Sequence, residues 1–313
     1  MSRVLVTGGA GFIGSHLCER LVKDGHDVTC IDNFDDYYSK KIKRDNIRPI
    51  VGEFKLIKAD IRDLERLKRV VSQEEPDYVV HEAAQAGVRA SVDNPVKTNE
   101  VNVTGTLNLL EATRDSDVKK TVFASSSSVY GRVEYLPFDE EHPKTPISPY
   151  GVSKLACENY FRVYEELYGM KYVALRYFTV YGPRIRPDLA ISKFTRLALA
   201  GGELEVYGNG SKSRDFTHVS DAVEATTLAL TRGSGAYNIG GGTTITVKEL
   251  AERIIELTGK GRIKYVEDQK GDVEHTSSDT TKARGELDWT PKVKFDDGLK
   301  GTVEWVEGIY KNQ

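Results

Sequence analysis

The chain has 313 residues, of which 39% are apolar and 29% charged, as in an ordinary soluble globular protein of one large or two modest domains. The net charge of −3 argues against a nucleic-acid binder that works by neutralising phosphates. No apolar run approaches the ~20 residues that cross a bilayer, and no signal-peptide pattern opens the chain. Cys18, Cys30 and Cys157 indicate neither a disulfide framework nor a zinc site, so we expect a cytoplasmic protein with reduced thiols and no metal.

The first half of the chain alternates strands with helices. Short apolar runs predict strands at residues 4–6, 27–31, 55–57, 78–80, 121–124 and 173–176. Helical apolar spacing predicts helices at residues 12–23, 64–72, 103–113 and 154–168. This alternation predicts an α/β fold with a doubly wound parallel sheet that is covered on both faces. After Gly182-Pro183 the alternation stops and glycines punctuate shorter elements, which indicates a smaller second domain.

A glycine-rich turn joins the first predicted strand to the first predicted helix, with Gly8, Gly11 and Gly14 in a GxxGxxG pattern. Glycines let a backbone turn tightly and approach a pyrophosphate, and the following helix N-terminus offers free N–H groups to that anion. Asp32 ends the second strand, where a carboxylate binds the ribose hydroxyls of NAD and repels the extra phosphate of NADP. A plain tight turn and a capping carboxylate would explain each feature alone. Together they predict dinucleotide binding, with an adenine contact expected at Asp60 and Ile61 after the third strand.

Tyr150 and Lys154 are four residues apart, so they share one face of a helix. A phenol is a poor base at neutral pH, but a nearby ammonium group and a cationic nicotinamide ring both favour the phenolate. A phenolate can take the proton of a sugar hydroxyl as the hydride leaves. Tyr and Lys also share solvated helix faces without any function, so this pattern is weak by itself.

Four serines, Ser125 to Ser128, follow the fifth predicted strand, at the carboxyl end of a parallel strand where open α/β sheets bind ligands. A hydroxyl at this place can hydrogen-bond the reacting oxygen. The alternative is a serine-rich loop that caps its own backbone.

These motifs together resemble the extended short-chain dehydrogenases/reductases, and among them the NAD-dependent nucleotide-sugar epimerases and dehydratases. The resemblance covers nearly the whole chain and includes the segments 81–84, 102–106, 176–178, 181–183 and 214–219. Glu82 departs from the apolar residue that is usual at its position. The resemblance implies a Rossmann domain that binds NAD over residues 1–182, to which the segment near 213–242 returns. Residues 183–313 then form mainly an α/β substrate domain.

The resemblance also implies the site residues. Tyr150, Lys154 and Ser126 are the expected catalytic residues. The expected cofactor-binding residues are Gly8, Gly11, Phe12, Ile13, Gly14, Asp32, Asn33, Asp60, Ile61, Ala83, Ala84, Asn102, Ser125, Tyr150, Lys154 and Tyr177. A homodimer packed through the helices around residues 103–113 and 150–168 is implied as well.

The serine loop separates the reactions of this family. Dehydratases typically carry Asp-Glu where this chain has Ser127 and Ser128, and the related decarboxylases tend to carry a Glu there. UDP-glucose 4-epimerases usually have Asn at the position of Thr179 and Arg at that of Gln269. UDP-glucuronate 4-epimerases look most similar, in the segments 32–38, 84–89, 178–183, 186–188 and 269–272, although Arg184-Ile185 replaces their common Trp-Gly.

A carboxylated sugar makes physical sense of these residues. A glucuronate oxidised at C4 is a β-keto acid that readily loses CO2, so an epimerase must grip the carboxylate and offer no acid to a carbanion. Hydroxyls of the loop and of Thr179 suit that purpose together with the guanidinium of Arg186, because arginine binds carboxylates bidentately. The expected substrate-binding residues are Arg89, Ser126, Ser127, Ser128, Tyr150, Thr179, Arg186 and Arg214.

The three arginines have simpler interpretations. Arg186 could be a surface residue of a loop, and Arg89 could assist it, contact phosphate or serve no site. Arg214 takes the UDP pyrophosphate by its family position, or it pairs with the adjacent Asp215.

The sequence thus predicts an NAD-dependent 4-epimerase that converts UDP-glucuronate to UDP-galacturonate. The alternatives are a UDP-glucose/UDP-galactose or N-acetylhexosamine 4-epimerase and, less favoured, a non-catalytic NAD-binding sensor. We expect a cytoplasmic homodimer with a UDP-sugar as ligand, without nucleic acid, membrane or metal.

Overall fold

The computed structural model describes residues 1–267 and 273–311. Its strands, in chain order, are β1 Arg3–Thr7, β2 Asp27–Asp32, β3 Lys55–Lys58, β4 Tyr78–His81, β5 Lys120–Ser126, β6 Tyr172–Tyr177, β7 Thr179–Tyr181, β8 Glu203–Tyr207, β9 Ser213–His218, β10 Gly235–Ile239, β11 Thr244–Thr246 and β12 Arg262–Val266.

The α-helices are α1 Phe12–Lys23, α2 Lys40–Ile47, α3 Leu64–Glu74, α4 Val88–Asp93, α5 Pro95–Asn99, α6 Gly105–Thr113, α7 Pro149–Tyr168, α8 Ala190–Leu199, α9 Val219–Ala229, α10 Val247–Thr258, α11 Thr281–Leu287 and α12 Phe295–Lys311. A π-helical turn, Glu100–Thr104, leads into α6. Over the described ranges, no helix is long and apolar enough to cross a membrane.

The main sheet has seven parallel strands in the order β10-β6-β5-β4-β1-β2-β3. Residues of β1 point alternately to its two faces, because successive side chains of a strand do so. Leu5 joins a core with residues of α3 and α6, whereas Val4 and Val6 join a core with residues of α1 and α9. Both faces are therefore covered, and the predicted doubly wound α/β fold is confirmed.

The order of the strands reverses between β1 and β4. The connections that follow these two adjacent strands run to opposite faces of the sheet, which opens a crevice at the carboxyl ends of the strands. The fold thus places a ligand crevice beside the glycine turn that follows β1.

The second half of the chain forms two small sheets, β11-β9-β7 and β12-β8, but it also returns to the main sheet. Strand β10 lies within the segment 213–242 and pairs with β6 at the edge of that sheet. One apolar core contains Leu17 of α1, Leu175 of β6 and Trp289. The two predicted domains therefore share a core, and a division near residue 182 stays a prediction.

Helix α7 begins earlier than the apolar spacing indicates, although the Tyr150–Lys154 pattern already placed Tyr150 on it. Apolar spacing predicts a helix from residue 154, whereas the structure starts it at Pro149. The hydroxyl of Ser148 accepts a hydrogen bond from the N–H of Gly151 at 3.1 Å. Pro149 suits the first helical position because an N–H there would have no partner within the helix. The longer helix carries Tyr150 as well as Lys154.

Candidate active site

A cavity of about 400 Å³ lies along the carboxyl ends of the central strands. Gly8, Asp32, Glu82, Ser126 and Tyr177 line it, and each lies at or directly after the end of a different strand. The cavity thus occupies the crevice at the topological switch point, where ligands of this fold class bind.

Most of the predicted site residues line this one cavity. They are Gly8, Gly11, Phe12, Ile13, Gly14, Asp32, Asn33, Ile61, Ala83, Ala84, Ser125, Ser126, Ser127, Ser128, Tyr150, Lys154, Tyr177, Thr179, Arg186 and Arg214.

Asp60, Asn102 and Arg89 do not belong to the cavity lining. Asp60 accepts a hydrogen bond from Asn33 Nδ2 at 2.9 Å and pairs with Arg62. Buried Asn102 accepts from the N–H of Gln85 at 2.7 Å and so fixes the loop after β4. The guanidinium of Arg89 lies over the ring of Tyr207, 4.9 Å from its centroid. The side chains of all three therefore have protein partners, and their cofactor and substrate contacts stay predictions.

The glycine turn is built for close backbone approach. Gly8 has a φ of +73°, and a Cβ at this position would lie 2.7 Å from the N atom of Ala83. A Cβ on Gly14 would lie 2.3 Å from the carbonyl oxygen of Gly8. Helix α1 starts behind this turn, and Gly11 at its N-cap has no side chain to bond the N–H groups of the first turn. This uncapped helix end on the cavity fits a pyrophosphate.

Asp32 is buried and is held by two backbone donors, the N–H of Ala10 at 3.0 Å and that of Phe34 at 2.8 Å. Its carboxylate is therefore preoriented at the end of β2, where a ribose is expected. Lys43 of α2 also lines the cavity here, although no motif predicted a role for it. Burial lowers the pKa of Lys43, while the charges of Asp32 and Asp35 oppose this effect. No sequence signal distinguishes Lys43 from the other basic residues of its helix.

The Tyr150–Lys154 pair does not lie on a solvated helix face. Lys154 is 3% exposed, and its ammonium group donates a hydrogen bond to the carbonyl oxygen of Ala124 at 2.7 Å. The same group lies 5.8 Å from the centroid of the Tyr150 ring. The hydroxyl of Ser91 accepts a hydrogen bond from the N–H of Tyr150 at 3.0 Å and fixes the first turn of α7. The pair is thus held rigidly at the cavity wall.

The serine loop caps its own backbone in part and still faces the cavity. Ser126 Oγ accepts from the N–H of Ser128 at 3.1 Å and donates to Ser128 Oγ at 3.1 Å. Buried Ser125 donates instead to Glu158 at 2.5 Å. Ser126, Ser127 and Ser128 all line the cavity beside Tyr150.

Arg186 is not a surface residue, since its side chain is 18% exposed and lines the cavity. Its Nε and Nη2 atoms bind Asp188 at 3.0 and 2.9 Å, and the hydroxyl of Tyr37 donates to the same carboxylate at 3.1 Å. Burial works to lower the pKa of Arg186, but the bonds and charge of Asp188 outweigh it and hold this pKa above its ordinary value. Asp188 and Tyr37 therefore position a charged guanidinium.

Arg214 lines the cavity, and its Nη1 donates to the carbonyl oxygen of Ser213 at 2.9 Å. The adjacent Asp215 turns away, because its carboxylate accepts from the N–H groups of Gly241 and Gly242 and from Ser278. Gln269 and the segment 269–272, which distinguished the epimerases by sequence, lie outside the described residues.

Comparisons with known proteins identify the family to which the chain belongs. The family model described as GDP-mannose 4,6 dehydratase matches residues 5–302. A UDP-glucuronate 4-epimerase of Thermodesulfobacterium geofontis is 39% identical over 311 residues, which are 97% of this chain and 96% of the relative.

Two solved structures are similar over the whole length. The UDP-glucuronic acid 4-epimerase of Bacillus cereus, in complex with UDP-glucuronic acid and NAD, has a TM-score of 0.93 and 33% identity, with 98% of this chain and 100% of that chain covered. The UDP-glucose 4-epimerase of Thermotoga maritima, with UDP-glucose, has a TM-score of 0.92 and 38% identity, with 98% and 99% covered.

The predicted family and the predicted cofactor, NAD, are confirmed by these similarities. The cofactor would be held by the glycine turn, by the uncapped N-terminus of α1 and by Asp32. The chain belongs to the extended short-chain dehydrogenases/reductases, in the family of NAD-dependent nucleotide-sugar epimerases and dehydratases.

Proposed function

We propose that the protein is an NAD-dependent 4-epimerase that interconverts UDP-glucuronate and UDP-galacturonate. The coarser prediction, an isomerase of the UDP-sugar 4-epimerase class, is confirmed by its relatives. The choice of the uronate depends on one observation. Ser127, Ser128, Thr179 and Arg186 line the same cavity as Tyr150, and the serine loop contains no carboxylic acid.

Tyr150, Lys154 and Ser126 do the proton chemistry in this proposal. The glycine turn and Asp32 would hold NAD⁺, which would supply the hydride chemistry at C4. Tyr150 takes the proton of the 4-hydroxyl as a phenolate, and the Lys154 ammonium group favours that charge. Ser126 hydrogen-bonds the reacting oxygen. The sugar loses one hydride and one proton and regains both on its other face, so the reaction has no net redox change.

The sugar must turn between the two half-reactions while the nucleotide stays bound. Binding strength therefore belongs on the UDP end, for which Arg214 is the proposed pyrophosphate contact. Arg186 and the three hydroxyls hold the carboxylate, so that its bond to C5 does not align with the new carbonyl group. Loss of CO2 is slow in that geometry. A Glu or Asp in the serine loop would protonate a carbanion, and none is present there.

Product analysis by NMR tests the substrate. The enzyme is incubated side by side with UDP-glucuronate, UDP-glucose and UDP-N-acetylglucosamine, without added NAD and then with it. We expect UDP-galacturonate as the main product, with kcat/KM at least about tenfold above that for the neutral sugars, because one charged bidentate contact is worth more than 1.4 kcal/mol. Preference for a neutral sugar would support the UDP-glucose alternative, and no turnover at all would support the sensor.

A homodimer is part of the proposal. Val92 of α4, Val96 of α5 and Val152 of α7 are 57%, 66% and 54% exposed, on helices that pack against one another. An apolar face of this kind fits the family's expected contact through the region around α7. Sedimentation equilibrium should give twice the chain mass of 34.9 kDa, and a Val152→Asp exchange should halve it. A monomeric wild-type protein would contradict the proposal. The cytoplasmic location stays a prediction.

A further inference from the structure

Glu82 is a carboxylic acid in the cofactor cavity that neither the cofactor motif nor the proposed chemistry uses. It follows β4 directly, and its carbonyl carbon lies 3.0 Å from where a Cβ on Gly8 would stand. Its Oε1 accepts a hydrogen bond from the Tyr177 hydroxyl at 3.1 Å. The Thr226 hydroxyl holds the same phenol at 2.6 Å.

This placement puts the carboxyl group in the nicotinamide half of the cavity. The glycine turn and Asp32 mark the pyrophosphate and the adenosine end, whereas Tyr150 and Lys154 mark the reacting end. Glu82 lies between the turn and Tyr177, and the charge of Lys154 acts on it directly.

The charge of Glu82 is poised in the neutral pH range. Burial raises the pKa of Glu82 to about 7, against the opposing effects of the Tyr177 hydrogen bond and the Lys154 charge. In the described chain, the ionisable groups that act on this carboxyl are Tyr177 from β6 and Lys154 from α7, while β1 and α9 contribute the uncharged Gly8 and Thr226. The group is therefore mainly neutral below pH ~6 and mainly a carboxylate above pH ~8.

We propose that the Glu82 carboxylate stabilises bound NAD⁺ relative to bound NADH. The two forms have the same phosphates and differ in the ring, which is a cation in NAD⁺ and uncharged in NADH. A fixed negative charge in a cavity of low dielectric constant attracts the cation and leaves the uncharged ring unaffected. The preference therefore follows from the position of one charge.

Such a preference has a consequence for turnover. It shifts the balance during catalysis away from the oxidised sugar and towards hydride return, so the keto sugar is present for less time. This consequence rests on the proposed function, because a short lifetime protects a keto uronate from losing CO2. The cofactor preference itself does not depend on which sugar is the substrate.

Dissociation constants for NAD⁺ and NADH, measured separately by calorimetry at pH 8, test the proposal without any sugar. For Glu82→Gln, which keeps the shape and the acceptor for Tyr177, the ratio of the NADH constant to the NAD⁺ constant should fall roughly tenfold. Glu82→Asp should restore most of the ratio. Glu65→Gln on α3, an exposed carboxylate outside the cavity, should leave it unchanged. A wild-type ratio in Glu82→Gln would overturn the proposal.

The pH dependence of this ratio of dissociation constants gives a second test with the same proteins. The wild-type ratio should rise between pH 6 and pH 8, whereas the ratio of Glu82→Gln should stay flat. Equal pH dependence in both would also refute the role of this carboxyl.

Where NAD cannot be removed, the holoenzyme is saturated with UDP-glucuronate or, separately, with UDP-glucose, and the absorbance of reduced nicotinamide is recorded. Glu82→Gln should then hold several times more reduced cofactor with whichever sugar reacts, and an unchanged fraction would count against the proposal.

Discussion

In the proposed mechanism, Tyr150 is the residue on which the chemistry depends most directly. Its phenol lies at the cavity wall, and the buried ammonium group of Lys154 is fixed 5.8 Å from its ring. Tyr150→Phe removes the proton acceptor and keeps the ring, so we expect kcat to fall by about 10³-fold while NAD stays bound. Steady-state kinetics and cofactor analysis of the purified variant measure both. Tyr168→Phe, at the exposed end of the same helix, is the control, and normal turnover by Tyr150→Phe would exclude it as the base.

In the proposed function, Arg186 binds the carboxylate of the sugar and so determines the preference for a uronate. Arg186→Ala should lower kcat/KM for UDP-glucuronate by about 10- to 100-fold, because a charge-assisted bidentate contact contributes roughly 1.5–3 kcal/mol. Neutral UDP-sugars should lose less than about threefold. Arg162→Ala, which removes an exposed arginine paired with Glu166 on α7, should change neither value. If kcat/KM fell equally for charged and neutral sugars, Arg186 would not bind the carboxylate.

Side-chain direction is what the sequence left open at this scale. Gly8, Gly14 and Asp32 were predictable because strand, turn and helix follow one another locally and leave little freedom. Asn102 and Arg89 match family positions, yet their side chains bond Gln85 and stack on Tyr207 instead of lining the cavity. A position in a motif identifies a segment, but the packing of neighbouring elements decides where its side chain points.

At the scale of elements, the start of α7 is the feature that apolar spacing could not predict. In the first turn, residues 149–153, Tyr150 lines the cavity and Val152 is exposed, so the apolar residues there do not follow the core-facing period. The signal that does mark it is Ser148 followed by Pro149, a cap and a residue suited to the first helical position. The contact of Tyr37 with Asp188 left no signal either, because it joins residues 151 positions apart.

The N-cap of α7 makes a measurable contribution to the free energy of unfolding. Ser148→Ala removes the acceptor for the Gly151 N–H, which should lower the free energy of unfolding by about 1 kcal/mol. Because Tyr150 lies in that first turn, kcat should also fall several-fold. Urea unfolding and steady-state kinetics measure the two effects. Ser148→Asp supplies another good cap and should recover most of the stability. If Ser148→Ala unfolds like the wild type, the cap does not hold the turn.

At the scale of the whole molecule, the chain crosses between its two predicted domains. Helix α9 and strand β10 lie in the segment 213–242, which was predicted to return to the first domain, and they complete the main sheet and one of its two faces. Arg186 and Arg214 reach the cavity from the part of the chain after residue 182. In the proposed function, the cofactor and sugar sites are therefore built on one shared core, which keeps the reacting groups in a fixed relation while the sugar turns.

The dependence of the first half on the second can be tested with a fragment of residues 1–182. Without α9 and β10, apolar side chains such as Leu17 of α1 and Val173 of β6 lose part of their cover. Each side chain of this size contributes about 1.5–3 kcal/mol when fully buried, so a few exposed ones remove most of the 5–15 kcal/mol that stabilises a typical domain. We expect the fragment to show no cooperative thermal transition by circular dichroism and no NADH binding by fluorescence. The full chain should show one transition, and added NAD should raise its midpoint temperature. A fragment that melts cooperatively and binds NADH would show that residues 1–182 are an independent domain.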